Sequence, residues 1–124
     1  LDILIMFEKM GLGIDIIEVN RFQEKPFETN KNFYKKIFHD SEVNYCLNQK
    51  NSDQSFATKF AIKESVIKSI NKSVSFLDIL TDHENSKPIV KLIENSPYDF
   101  LVSVSHEKSY AIAVVISEIH DKKE

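Results

Sequence analysis

The chain has 124 residues, 42% of them hydrophobic, and a formal net charge of −3 at pH 7. That suffices for one globular domain with its own core, and the acidic balance argues against bulk nucleic-acid binding. No run of 18 apolar residues occurs, so no membrane span is expected; the single cysteine, Cys46, excludes an internal disulfide framework and fits a reducing cytoplasm.

The first seven residues are apolar but too few, with no basic flank and no small-residue cleavage site, so they do not read as a signal peptide. Gly11 and Gly13, the chain's two glycines, open a strand-like run from Gly11 to Ile17. Glycines inside a strand mark a bulge, or the close approach of another backbone or a ligand. Alternation puts Leu12, Ile14 and Ile16 on one face, and Asp15 on the other with Gly11, Gly13 and Ile17.

Residues 18–28 read as a short helix ending near Pro26, and 32–38 as helical or irregular. Arg21, Lys25, Lys31, Lys35 and Lys36 form a local basic surplus; an acidic partner and a solvated helix face both account for it. Arg21 is the only arginine, the residue with a fixed bidentate fork. A helix is expected from a cap at Asp40 or Ser41 to about Lys50, with Cys46 as a small packed residue.

After a turn at 51–54, the spacing predicts a long helix over 54–71. At 100° per residue, Phe56, Phe60, Ile67 and Ile70 form one stripe, widened by Ile62 and Val66. Lys63 falls inside the stripe, and Glu64 and Lys68 at its edge with Ala57 and Ala61. Only Thr58, Ser65 and Ser69 make a clearly polar face, so the helix is expected to be mostly buried. Buried charges need a partner, a metal or an anionic ligand.

Four strand-like runs follow, at 74–81, 88–93, 100–105 and 110–117, with a tight hairpin at Glu107-Lys108-Ser109. The last is apolar on both faces and should be central in the sheet or at a subunit contact. The expected class is α+β, a small mainly antiparallel sheet packed on a long central helix. His39, His83 and His120 lack metal-ligand spacing and read as surface residues.

Three segments carry chemistry together: Gly11-Leu-Gly-Ile-Asp15 with Arg21 beyond it, Phe56-Ala-Thr-Lys-Phe-Ala-Ile-Lys63-Glu64-Ser-Val-Ile-Lys68, and Ser103-Val-Ser105-His106 followed by Tyr110-Ala-Ile-Ala. In this order and spacing the chain resembles the bacterial holo-acyl-carrier-protein synthases, a family of 4′-phosphopantetheinyl transferases. The resemblance runs from about Met10 to Glu118. It implies transfer of the phosphopantetheine arm of coenzyme A to a serine of apo-acyl carrier protein, releasing 3′,5′-ADP, with Mg²⁺, in fatty acid biosynthesis.

By matching position, Asp15 and Glu64 would be metal ligands, a donor set that suits Mg²⁺. Lys68 would contact phosphate, making Glu64 and Lys68 the catalytic pair, and Lys63 would pair with Glu64 or an anionic oxygen. Lys63, Lys68, Lys87, Pro88, Ser105 and His106 are the implied coenzyme A contacts, and Arg21 with Lys25 the implied docking patch for the carrier's acidic helix. The family assembles as a trimer with active sites between protomers.

The chain departs from the family in several places. Residues 69–74 lack the usual Gly-x-Gly, and Gly-Lys-Pro becomes Ser86-Lys87-Pro88, where Asn85 or Ser86 can still turn. Lys59 stands where arginine is common. Residues 1–9 precede the usual start, so they are expected to be an upstream extension to a single domain over 10–124, with Met10 a plausible initiator. The missing glycines support one rival, a non-catalytic module that binds coenzyme A or a carrier protein on the same fold.

Overall fold

A computed structural model describes residues 3–120, with the backbone alone of Ile5. In chain order it contains α1 (Ile3–Glu8), β1 (Met10–Glu18), α2 (Asn20–Gln23), α3 (Lys31–Lys35), α4 (Asp40–Leu47), α5 (Ser52–Ser69), β2 (Ile79–Glu84), β3 (Lys87–Leu92), β4 (Tyr98–His106) and β5 (Tyr110–Ile119). The class is α+β, as expected. The sheet is three antiparallel strands in the order β1-β5-β4, with β2 and β3 forming a separate antiparallel hairpin. β5 is central in the sheet, one of the two places expected for a strand apolar on both faces; its inner face is buried and its outer face half-buried.

The long helix approaches this sheet through small residues. Ala57, Ala61, Ser65 and Ser69 repeat every four positions along α5 and are all buried. Opposite them lie Gly11 and Gly13 of β1 and Ala111, Ala113 and Ser117 of β5. A Cβ on Gly13 would stand 1.8 Å from the Ser65 carbonyl oxygen, and one on Gly11 1.7 Å from that of Ser69. The glycines therefore serve a backbone-to-backbone approach.

Ser65 and Ser69, expected on a polar face, are buried instead. Burial is tolerable because their polar atoms are satisfied. The Ser65 hydroxyl donates to the Ala113 carbonyl at 3.1 Å, and that of Ser69 to the Val66 carbonyl at 2.8 Å. The Ser117 hydroxyl donates to the Ser69 carbonyl at 2.7 Å. The apolar stripe of α5 faces the other elements: Phe56 and Phe60 join Phe22, Phe33, Tyr34 and Phe38 in an aromatic cluster with Phe22 at its centre.

Several boundaries move for local reasons. Asn51 accepts a bond from the Gln54 amide at 3.1 Å, so α5 starts at Ser52 rather than 54. α4 starts at Asp40 beneath His39, whose amide donates to the Glu42 carboxylate at 2.8 Å. The expected helix over 18–28 shrinks to the four residues of α2, because β1 continues to Glu18 and Pro26 sits in extended backbone.

The strand expected from Val74 begins only at Ile79. Asp78 accepts from both the amide and the hydroxyl of Ser75, closing a 3₁₀ turn over Phe76–Asp78 first. Asn85 and Ser86 turn the β2–β3 hairpin with φ of 51° and 66°, the left-handed pair of a two-residue turn. Among the described residues no helix is long and apolar enough to cross a membrane.

Gly13→Ala should destabilise the fold at or above the upper end of the ~1–3 kcal/mol typical of overpacking, because the clash is with backbone. Urea denaturation of the variant against the parent chain measures it; an unchanged midpoint would contradict the packing described.

Candidate active site

β1 and α5 bring the sequence-predicted carboxylates together. Asp15 lies on the glycine face of β1, turned toward the helix, and is partly buried. One of its oxygens accepts from the Lys68 ammonium at 3.1 Å, and the same ammonium donates to the Ile14 carbonyl at 3.1 Å. The other Asp15 oxygen is buried without a hydrogen-bond partner among the described residues. An acceptor left so is costly, and a cation would satisfy it.

Glu64 stands one turn before Lys68 on α5. Burial pushes its carboxyl above the usual range, the neighbouring Asp15 carboxylate pushes it further, and Lys68 and Arg21 oppose the shift. Asp15, Glu64, Lys68 and Arg21 thus share one electrostatic neighbourhood, with like charges meeting at the two carboxyls. Hard oxygen donors in that arrangement fit a divalent cation such as Mg²⁺, which commonly takes one or two carboxylates and fills its shell with substrate oxygens and water.

Lys63 lies elsewhere, and its expected pairing with Glu64 or a ligand oxygen is corrected. Its ammonium is fully buried and donates to Glu42 at 2.7 Å, to the Ile37 carbonyl at 2.8 Å and to the Phe76 carbonyl at 3.0 Å. All three N–H groups are thereby used. Burial alone would raise the Glu42 carboxyl, but the bonds from Lys63 and Thr81 hold it below the ordinary glutamate range. Glu42 is the residue that the sequence reading missed. Its signal was Lys63 itself, a charge inside an apolar stripe that demanded a counter-charge.

A second region is a cleft of about 1030 Å³ between the start of α5, the end of α4, the β2–β3 hairpin and the end of β4. Pro88 and His106, two of the expected coenzyme A contacts, line it; Lys87, Ser105, Asp15, Glu64 and Lys68 do not. Ser105 lies on the opposite face of β4 from Val104 and His106 by simple alternation. Lys87 is exposed at the first position of β3.

Two further wall residues were not anticipated. His83, expected on the surface, is half-buried and stacks on Tyr45 with ring centroids 4.3 Å apart. His39 is likewise half-buried, whereas His120 is exposed and bonded to Asp99. Nothing in the spacing of Tyr45 and His83 announced their meeting, since α4 and β2 are joined only through tertiary packing. Cys46 is buried as expected, and burial pushes its thiol up to about 12, so it is inert.

Arg21 and Lys25 are both exposed near the aromatic cluster. The Arg21 guanidinium lies 4.9 Å from the Phe60 ring centre, and the Lys25 ammonium 5.2 Å from that of Phe33. Arg21 is thus one of the basic residues at 21–36 and also opposes the rise of the Glu64 carboxyl.

Comparison with known proteins agrees with this arrangement. A family model described as the 4′-phosphopantetheinyl transferase superfamily matches residues 11–115. The holo-acyl-carrier-protein synthase of Bacillus cereus is 40% identical over 116 residues, covering 88% of this chain and 95% of that protein. That of Chloroherpeton thalassium is 36% identical, with 88% and 98% covered. Among solved structures, the Bacillus anthracis synthase in complex with CoA (3′,5′-ADP) has a TM-score of 0.74 at 32% identity, over 89% of this chain and 96% of that one. The Helicobacter pylori synthase in complex with coenzyme A gives 0.73 at 29%, over 86% and 99%. The match takes in β1, α5 and the sheet strands that position the carboxylates, and the chain belongs to the 4′-phosphopantetheinyl transferase superfamily.

Proposed function

We propose that the protein is a holo-acyl-carrier-protein synthase. It transfers the 4′-phosphopantetheine arm of coenzyme A to a serine of apo-acyl carrier protein and releases 3′,5′-ADP. The observation that carries this reading is the meeting of Asp15 and Glu64, from β1 and α5, with Lys68 beside them and one Asp15 oxygen buried without a donor. Family membership and the coenzyme A complexes of the two similar synthases support it.

Asp15 and Glu64 would hold Mg²⁺. When bound, the ion supplies neutralisation of charge on the pyrophosphate. Lys68, within reach of Asp15 yet half-exposed, donates to a phosphate oxygen as negative charge builds on the departing 3′,5′-ADP. Arg21, near the carboxylates, and Lys25, over Phe33, present positive charge to the acidic carrier protein.

The assembly reading is a homotrimer with composite sites. Two observations favour it. The outer sheet face exposes Leu12 at 66%, Ile14 at 59%, Ile16 at 58% and Leu101 at 72%, an apolar surface that a monomer rarely leaves bare. The cleft and the carboxylate pair also share no lining residue within one chain, so a neighbouring protomer could bring one against the other. The lone buried thiol accords with a reducing cytoplasm.

Mass spectrometry of apo-acyl carrier protein incubated with coenzyme A and Mg²⁺ should show a gain of one phosphopantetheine. Asp15→Ala and Glu64→Ala should each lower turnover by about 10²-fold or more without unfolding the chain. No mass gain from folded parent protein would defeat the assignment, and coenzyme A binding indifferent to Mg²⁺ would favour the non-catalytic module. Independently of turnover, Mg²⁺ should move the Glu64 titration downward in carboxyl NMR, because a cation between the carboxylates favours the ionised form against the burial and the Asp15 repulsion that raise it. A titration unmoved by saturating Mg²⁺ would exclude Glu64 as a ligand.

A further inference from the structure

Behind the cleft wall one buried carboxylate meets two buried ammonium groups. Glu42 binds Lys63 directly, and Lys63 has no N–H to spare. The second ammonium, on Lys59, is also buried, yet its one hydrogen bond among the described residues is to the Thr81 hydroxyl, at 2.9 Å. It lies 4.7 Å from the Tyr45 ring centre, and Lys59 lines the cleft. Within the buried network one carboxylate faces two ammonium groups, and the one without an ion-pair hydrogen bond, Lys59, is at the cleft.

The direction of the bonds follows from the groups. The ionised Glu42 carboxylate only accepts, so the Thr81 hydroxyl, 2.5 Å from it, must donate its proton there. The Thr81 amide donates to the same oxygen at 3.0 Å. An ammonium only donates, so Lys59 gives its proton to the Thr81 oxygen. That oxygen is polarised by the carboxylate and becomes a stronger acceptor. The chain Lys59 to Thr81 to Glu42 thus ties α5, β2 and α4 together at one wall of the cleft.

We propose that Thr81, oriented by Glu42, is a positioning residue that fixes the Lys59 ammonium at the cleft wall, where its two remaining N–H groups receive an anionic oxygen of the substrate. This rests on the reading of the protein as a coenzyme A-using transferase, and coenzyme A is the anion tested. Asp82, exposed on the cleft rim, attracts Lys59 across the cleft edge but makes no hydrogen bond to it.

Thr81→Val keeps the shape and removes the hydroxyl; Thr81→Ser restores it. In steady-state assays Thr81→Val should raise KM for coenzyme A roughly tenfold with kcat within twofold, and Thr81→Ser should stay close to the parent. Lys59→Met should raise KM at least as much, and Thr81→Val added to Lys59→Met should cost nothing further, because the two act through one contact.

The proposal is overturned by a Thr81→Val KM within twofold of the parent, by a loss in kcat alone, or by a Thr81→Val penalty that persists on Lys59→Met. Should Thr81→Val fail to fold, Lys59→Met alone decides, since an unchanged KM there removes the basis for any positioning. Parent protein that neither binds nor uses coenzyme A would instead overturn the functional assignment itself.

Discussion

Everything chemical in this molecule depends on how closely α5 can lie against β1. At Gly11 and Gly13 the helix carbonyls occupy the volume of the missing side chains. A helix facing a sheet through Leu or Phe would sit farther away. Here the facing residues are glycine, alanine and serine, and the small separation lets Lys68 reach across to Asp15 and the Ile14 carbonyl. The same contact sets Glu64 beside Asp15, whose charge adds to the burial that raises the Glu64 carboxyl. Packing and electrostatics are therefore one arrangement: the steric fit is what brings the two carboxyls together.

Three lysines on one helix have three different fates. Lys63 is sealed by a carboxylate and two carbonyls, and deleting Glu42 would leave a bare buried charge, a loss of order 3–5 kcal/mol in such pairs. Lys68 is half-exposed, and its ion pair with Asp15 is worth ~1 kcal/mol or less in solvent, so it is easily redirected to a ligand. Lys59 is buried but incompletely satisfied. Burial and partner count, which differ along fifteen ångströms or so of helix, separate the sealed ammonium from the two that keep N–H groups free, where residue type cannot.

The elements that build the cleft come from distant parts of the chain. Tyr45 and His83 stack across α4 and β2, and Gln54 at the start of α5 donates to the Glu107 carbonyl in the β4–β5 turn at 2.9 Å. That tie places His106 at the mouth of the cleft. The β2–β3 hairpin turns through Asn85 and Ser86 without glycine. After α5 the chain leaves through Ile70 in extended backbone, with no left-handed residue, so the glycines absent from 69–74 are not required for the path of the chain there.

The sequence by itself determined the class of fold, the long buried helix, the central last strand, and the candidacy of Asp15, Glu64 and Lys68. Those follow from local periodicity, from turn residues and from motifs that resemble a known family. It also showed that Lys63 lay inside an apolar stripe. What it could not supply was the counter-ion, because Glu42 looks like an ordinary first-turn acid of a short helix. Nor could it tell that Ser65 and Ser69 face the sheet, since serine is polar by type and becomes interior only where a strand backbone comes close enough to satisfy it. The tertiary structure decided which charges meet, because long-range approach is governed by side-chain volume at the contact, and that volume is set jointly by residues 11–13, 65–69 and 111–117.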